Sequence, residues 1–239
     1  MERAMKQREK QRATVFLRWL GLAVLALAVT VIALTNARGE TADALQEGYL
    51  VLVNWSNPVP YDRPDGLVDL DDAFGDAVYL LNPEGSINAE AGKAALAMFE
   101  AAKEDGVSGY MVTTAYRSVA YQQELFEARR QKEPGYGSDP FNEPVKVLPG
   151  ECSEHTTGLA LDILAEDYRR ADDGYADTVQ GKWLFENAYR FGFILRYPKG
   201  KENITGVIYE PWHYRYVGID AAKEIYDSGQ CLEEYLGQA

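Results

Sequence analysis

Ser153-Glu154-His155-Thr156-Thr157-Gly158-Leu159-Ala160-Leu161-Asp162 and Glu210-Pro211-Trp212-His213-Tyr214-Arg215-Tyr216 contain the only two histidines of this 239-residue chain. In the first stretch, residues 159–164 read as a short strand, with Leu159, Leu161 and Ile163 facing one side and Ala160 and Asp162 the other. A carboxylate set among alternating apolar residues is costly to bury unless it is paired or bound to a metal. His155 and Asp162 are seven positions apart, so a continuous strand would point them to opposite faces. A turn at Thr156-Thr157-Gly158 removes that obstacle by folding His155 back over the strand. In the second stretch Pro211 cannot donate to a strand ladder, and a bulge there brings Glu210 and His213 toward one cavity.

Outward from these stretches, the pattern alternates irregularly between strands and helices. Residues 88–104 form the clearest amphipathic helix, with Asn88 as cap, Ala91, Ala94, Ala95, Met98 and Ala102 at helical spacing, and Gly106 as its stop. Residues 110–116 are β-rich, and Ser118 opens a second helix reaching about Arg130. Residues 132–149, with Pro, Gly, Ser and Asp, read as a long irregular loop of the kind that is often functional. Residues 49–54 read as a strand, 183–191 as a helix stopped by Gly192, 193–197 and 207–217 as strands, and 221–226 as a closing helix. The expected fold is α+β, a small antiparallel sheet flanked by helices, in a domain covering residues 48–239.

The N-terminal end is of another character. Residues 1–34 hold six basic residues against two acidic ones, so a chain of net charge −13 divides into a basic tail and a remainder of −17. Residues 15–34 are apolar apart from Arg18 and small residues, long enough to cross roughly 30 Å of hydrocarbon as a helix with Arg18 snorkelling. Basic residues ahead of it place residues 1–14 in the cytoplasm and the remainder outside, with residues 35–47 as a stalk. The expectation is a cell-membrane anchor, the alternative a cleaved signal with Thr35-Asn36-Ala37 as the cleavage site. An acidic domain lacks the clustered Lys and Arg that nucleic acid requires, and nothing calls for more than a monomer. Cys152 and Cys231 both lie in the outside domain, where an oxidising medium permits a disulfide.

A catalytic zinc wants three protein ligands and an open position for water, and His155, Asp162 and His213 offer three. Glu210 adjoins a ligand without being needed as one, which suits it to general-base work. Arg117, between a β-rich run and a helix start, is placed to stabilise an oxyanion or hold a carboxylate, with Gln122 near enough to add a hydrogen bond. Taken singly, each has a plainer role: a structural histidine, a turn-capping Asp162, a Glu210–Arg215 surface ion pair, a strand end at Arg117. Their conjunction in Gly- or Pro-bent segments favours chemistry.

At these residues the chain resembles the VanY-type D-alanyl-D-alanine carboxypeptidases and their L,D-carboxypeptidase relatives. Ser153-x-His155-x-x-Gly158-x-Ala160-x-Asp162 is similar to the family's first zinc motif and Glu210-x-Trp212-His213 to its second. Ala115-Tyr116-Arg117-Ser118 with Gln122 resembles a further segment in which Gly usually stands at the position of Ala115. The resemblance implies a fold shared with D-Ala-D-Ala dipeptidases and the hedgehog signalling domain. It implies zinc on His155, Asp162 and His213, Glu210 as base and Arg117 at the scissile carbonyl. Ser118, Gln122, Ser153 and Tyr214 are the expected substrate contacts. It implies peptidoglycan stem peptides as partner and release of a terminal D-Ala, from pentapeptides (D,D) or tetrapeptides (L,D). A wall-binding module without catalysis is the remaining alternative, disfavoured because a binding site needs no base at Glu210. Cys152 stands where Thr is more usual and Cys231 just precedes the Leu-Glu-Glu-Tyr-Leu ending, which strengthens the expectation of a disulfide.

Overall fold

The computed structural model describes residues 48–59 and 63–239. The expected basic tail, anchor and stalk, residues 1–47, lie outside the described residues. Among the described residues no helix is long and apolar enough to cross a membrane. Among the described residues, strands β1 (Leu67–Asp69), β2 (Tyr79–Leu80), β3 (Ser86–Asn88), β4 (Tyr110–Thr114), β5 (Ala160–Ala165), β6 (Phe193–Leu195) and β7 (His213–Tyr216) alternate with seven α-helices. The helices are α1 (Leu70–Phe74), α2 (Ala89–Glu104), α3 (Val119–Lys132), α4 (Val179–Asn187), α5 (Glu202–Thr205), α6 (Ile219–Ser228) and α7 (Leu232–Tyr235).

The main sheet has the order β2-β4-β5-β7-β6, and β1 pairs with β3 apart from it. Its β4–β5, β5–β7 and β7–β6 ladders are antiparallel, while β2 runs parallel to β4, so the sheet is mixed rather than purely antiparallel. On one face Leu161, Ile163 and Tyr214 pack into the core with Ala95, Met98, Phe99 and Ala102 of α2 and Leu184 of α4. The predicted start of α2 is observed: the Asn88 side chain accepts from the Glu90 and Ala91 amides, satisfying two donors of the first turn. Ser118 caps α3 in the same way through the Tyr121 amide.

Two strand expectations are corrected. Among the described residues, residues 49–54 join no ladder beyond the Asn54–Asn57 bridge, because the Tyr49 and Val51 carbonyls accept from the Arg215 guanidinium at 2.9 and 2.8 Å instead. Of residues 207–217 only His213–Tyr216 is strand; Val207 makes one bridge to Val145, and a turn at Pro211–Trp212 intervenes. The expected disulfide is also corrected, since Cys152 and Cys231 are both free. Cys152 packs against the apolar cluster of Val145, Leu148, Tyr197 and Val207. Cys231 is the buried N-cap of α7, its amide donating to Glu234.

Candidate metal centre

Strand pairing sets the site. β5 and β7 place Asp162 directly opposite His213, so both side chains leave the sheet on the face away from α2. His155 arrives from the 3-10 turn Glu154–Thr157, which ends at Gly158 in the left-handed conformation, φ 71°. Threonine hydroxyls stitch that turn: Thr156 Oγ1 donates to Ser153 O and Thr157 Oγ1 to Glu154 O, each at 2.6 Å. An irregularity in β4 between Val112 and Thr114 lets the strand bend toward the site. There the Ala115 carbonyl lies 2.8 Å from His155 Nδ1.

The three predicted donors converge. His155 Nε2 is 3.3 Å from Asp162 Oδ2 and His213 Nδ1 is 3.0 Å from Asp162 Oδ1. One donor atom from each of the three falls within 4.8 Å of the others. The chemistry fits a cation. A carbonyl only accepts, so His155 Nδ1 carries the proton and the Nε2 lone pair of the neutral ring faces a carboxylate oxygen, acceptor against acceptor. A metal among these two nitrogens and one oxygen removes that conflict, and the donor set suits zinc. The trio opens on a cavity of about 340 Å³, leaving space for a fourth ligand.

The charges of the cluster follow from burial and close pairing. Burial disfavours the Asp162 carboxylate, but the charges and hydrogen bonds of His155 and His213 outweigh burial and hold its pKa far below the ordinary value. Burial likewise opposes charge on His213, yet its hydrogen bond to Asp162 and the nearby Glu154 carboxylate lift its pKa to about 9. Burial lowers that of His155. Glu210 sits on the same cavity, its Oε2 3.8 Å from His213 Nδ1. Burial, reinforced by the charge of Asp162 and opposed by His213, pushes its pKa up to about 8. The turn joining Glu210 to His213 is closed by the His213 amide on the Glu210 carbonyl at 3.1 Å.

The other expected residues divide. Arg117 and Ser153 line the cavity. Gln122 does too, but its side chain is engaged: it accepts from Arg117 Nη1 and donates to the Leu148 carbonyl at 2.7 Å, which makes it a strut for Arg117. Ser118 lines a neighbouring cavity with Tyr116 and Tyr121 rather than this one. Tyr214 is turned to the opposite, core face of β7, paired with Leu161, and the structure does not bring it to the donors. Sequence reasoning missed Tyr197, whose buried hydroxyl has no partner among the described residues and whose ring lies 4.9 Å from that of His213. It also missed the basic wall of Arg129, Lys132 and Lys146, the last with its ammonium 4.5 Å from the Trp212 ring. An i,i+3 basic pair at Arg129 and Lys132 was the one local signal for that wall.

Residues 84–219 match the family profile described as VanY, D-alanyl-D-alanine carboxypeptidase. The chain is 42% identical over 199 residues to a D-alanyl-D-alanine carboxypeptidase of Enterococcus faecalis, covering 80% of this chain and 66% of that one. A D-alanyl-D-alanine carboxypeptidase of Enterococcus faecium is 31% identical, over 84% of this chain and 62% of that one. The chain thus spans about two thirds of the length of these relatives. Among solved structures, the LdcB LD-carboxypeptidase is similar with a TM-score of 0.68 and 37% identity, over 79% of this chain and 85% of that one. A D,D-pentapeptidase VanY variant in complex with Zn(II) is similar with a TM-score of 0.62 and 39% identity, over 79% of this chain and 99% of that one.

Proposed function

Because this chain belongs to the VanY family of D-alanyl-D-alanine carboxypeptidases, we propose that it is a zinc-dependent carboxypeptidase removing the terminal D-alanine of peptidoglycan stem peptides. The observation that carries the reading is the convergence of His155, Asp162 and His213 on one cavity with Glu210 beside them. His155, Asp162 and His213 would hold the zinc, which when bound would supply Lewis acidity at the site. Glu210 takes the proton of the attacking water and returns it to the departing amine, a task suited to a carboxylate whose pKa is raised toward neutrality. Arg117, pinned by Gln122, presents fixed positive charge to the oxyanion or to the substrate carboxylate. Ser153 and the wall of Arg129, Lys132 and Lys146 face the remainder of the peptide, whose carboxylates suit a basic lining.

The L,D reading has its own support in the similarity to the LdcB LD-carboxypeptidase. The segment 132–149, part of which lines the cavity, is the element we assign to choosing between substrates. The enzyme acts as a monomer, held outside the cell membrane by residues 15–34 on the stalk 35–47, close to nascent wall. D-alanine release from matched synthetic pentapeptide and tetrapeptide, with and without a zinc chelator, tests the proposal. Chelator-sensitive release from one peptide supports it and selects the stereochemistry. Absence of release from both, with zinc bound, refutes the catalytic reading in favour of a wall-binding module.

A further inference from the structure

Glu154 is fully buried, belongs to neither the donor trio nor the cavity lining, and yet lies beside the metal centre. Its two oxygens are treated differently. Oε1 accepts from Arg196 Nε and from Arg215 Nη1, both at 2.7 Å. Among the described residues Oε2 has no hydrogen-bond partner; it lies 3.7 Å from His213 Nε2, which has none among them either. That separation is longer than a hydrogen bond. Two buried polar atoms without partners, facing one another, nevertheless gain most by closing on each other. The opposite nitrogen of the same ring, Nδ1, faces Asp162 at 3.0 Å.

We infer that Glu154 is the positioning residue of His213: by accepting the Nε2 proton it commits the ring to the tautomer whose Nδ1 lone pair faces the metal. The inference rests on the zinc reading of the trio. A ligating imidazole needs its second nitrogen held, and a carboxylate there fixes tautomer and orientation together. Were Glu154 present only to neutralise two buried arginines, both its oxygens would be expected to meet guanidinium groups. Only Oε1 does.

The carboxylate is itself held from behind. Arg196 gives two of its remaining donors to Glu233 of α7, at 2.8 and 2.6 Å, and Asn54 Nδ2 donates to the same Glu233 at 3.1 Å. Arg215 donates onward to the Tyr49, Val51 and Tyr216 carbonyls. Two arginines and two glutamates thus form a charge-balanced buried cluster that ties residues 49–54, β7 and the C-terminal helix to one face of His213.

The test uses the full chain, ¹⁵N-labelled at histidine, and its Glu154→Gln variant. With only two histidines the imidazole signals are assigned by one His155 substitution. In the zinc-loaded parent, His213 should carry its proton on Nε2 and His155 on Nδ1. In Glu154→Gln the amide oxygen must face the two arginines, so its NH₂ meets Nε2, donor against donor, and favours the opposite tautomer. Zinc affinity, read by chelator competition, should fall roughly 10- to 100-fold. A folded variant that binds zinc within twofold of the parent overturns the inference alone, as does an Nδ1-protonated His213 in the zinc-loaded parent. Should Glu154→Gln fail to fold, Glu154→Asp keeps the charge, draws it back by one carbon, and should weaken zinc in the same direction. A parent that binds no zinc overturns the metal reading and this inference together.

Discussion

Replacing Arg215 by Met removes a cation at the centre of the buried cluster while keeping most of its aliphatic volume. Arg215 is fully buried and makes four hydrogen bonds, to Glu154 at 2.7 Å, Val51 at 2.8 Å, Tyr49 at 2.9 Å and Tyr216 at 3.0 Å. Its loss leaves Glu154 dependent on Arg196 alone and three carbonyls short of a donor. Breaking a buried ion pair from one side costs about 3–5 kcal/mol, because an uncompensated charge stays behind. Against a total stability of roughly 5–15 kcal/mol that is a large fraction. For a domain of this size it amounts to a fall in Tm of about 6–20 °C. The assay is urea unfolding of the chelator-treated chain, followed by tryptophan fluorescence, so that zinc binding does not add to the apparent stability. Lys223→Met is the control. Its ion pair with Asp227 is equally short at 2.5 Å, but both side chains are more than half exposed, and solvent-screened pairs contribute little. An Arg215→Met midpoint that coincides with that of the control would refute the claim that the buried cluster holds this region together.

Three further outcomes are expected. Glu210→Gln should lower D-alanine release by about 10²- to 10⁴-fold while metal analysis still finds zinc bound; loss of the metal would move Glu210 into the ligand set. Both cysteines should titrate as thiols in denaturant without reductant, and in the folded chain Cys231 should resist alkylation at pH 8, since burial raises its pKa to about 11. A folded-state thiol pKa above its ordinary 9.0 contributes stability that is complete below pH 9 and is lost as pH rises toward about 11; replacing Cys231 with Ala should flatten that limb of a stability–pH profile. Gly150→Ala would put a Cβ 2.5 Å from the Val119 carbonyl at the start of α3. Overpacking of this kind costs about 1–3 kcal/mol, readable by urea unfolding, and an unchanged midpoint would show that residues 150–152 yield without strain.

Local rules read much of this chain correctly, because the deciding interactions span only a few residues. The Asn88 cap and periodic alanines define α2, Ser118 starts α3, Gly192 in the left-handed conformation ends the turn after α4, and Gly158 does the same after His155. The clustering of His155, Asp162 and His213 was legible as well, because only two histidines and one carboxylate in an apolar strand competed for the part. Alternation would also have excluded Tyr214: once His213 faces the site, its neighbour in β7 must face the core.

What only the tertiary structure decided is where the unpaired backbone and the buried charges find partners. Residues 49–54 have strand composition, yet their carbonyls are claimed by a guanidinium 164 and 166 positions away. Two cysteines that an oxidising medium would let join instead lie apart as free thiols, one in an apolar cluster and one capping α7. Glu154 is adjacent to His155 in sequence but takes its hydrogen bonds from Arg196 and Arg215, 42 and 61 positions away. By itself the sequence determined which residues can bind a metal and where the chain must turn, since those follow from side-chain chemistry and short-range backbone sterics. Which face each donor takes, and what holds it there, depended on cross-strand register and on long-range charge pairing in a dry interior, where an unpartnered charge is too costly to leave and any partner must come from wherever the fold supplies one.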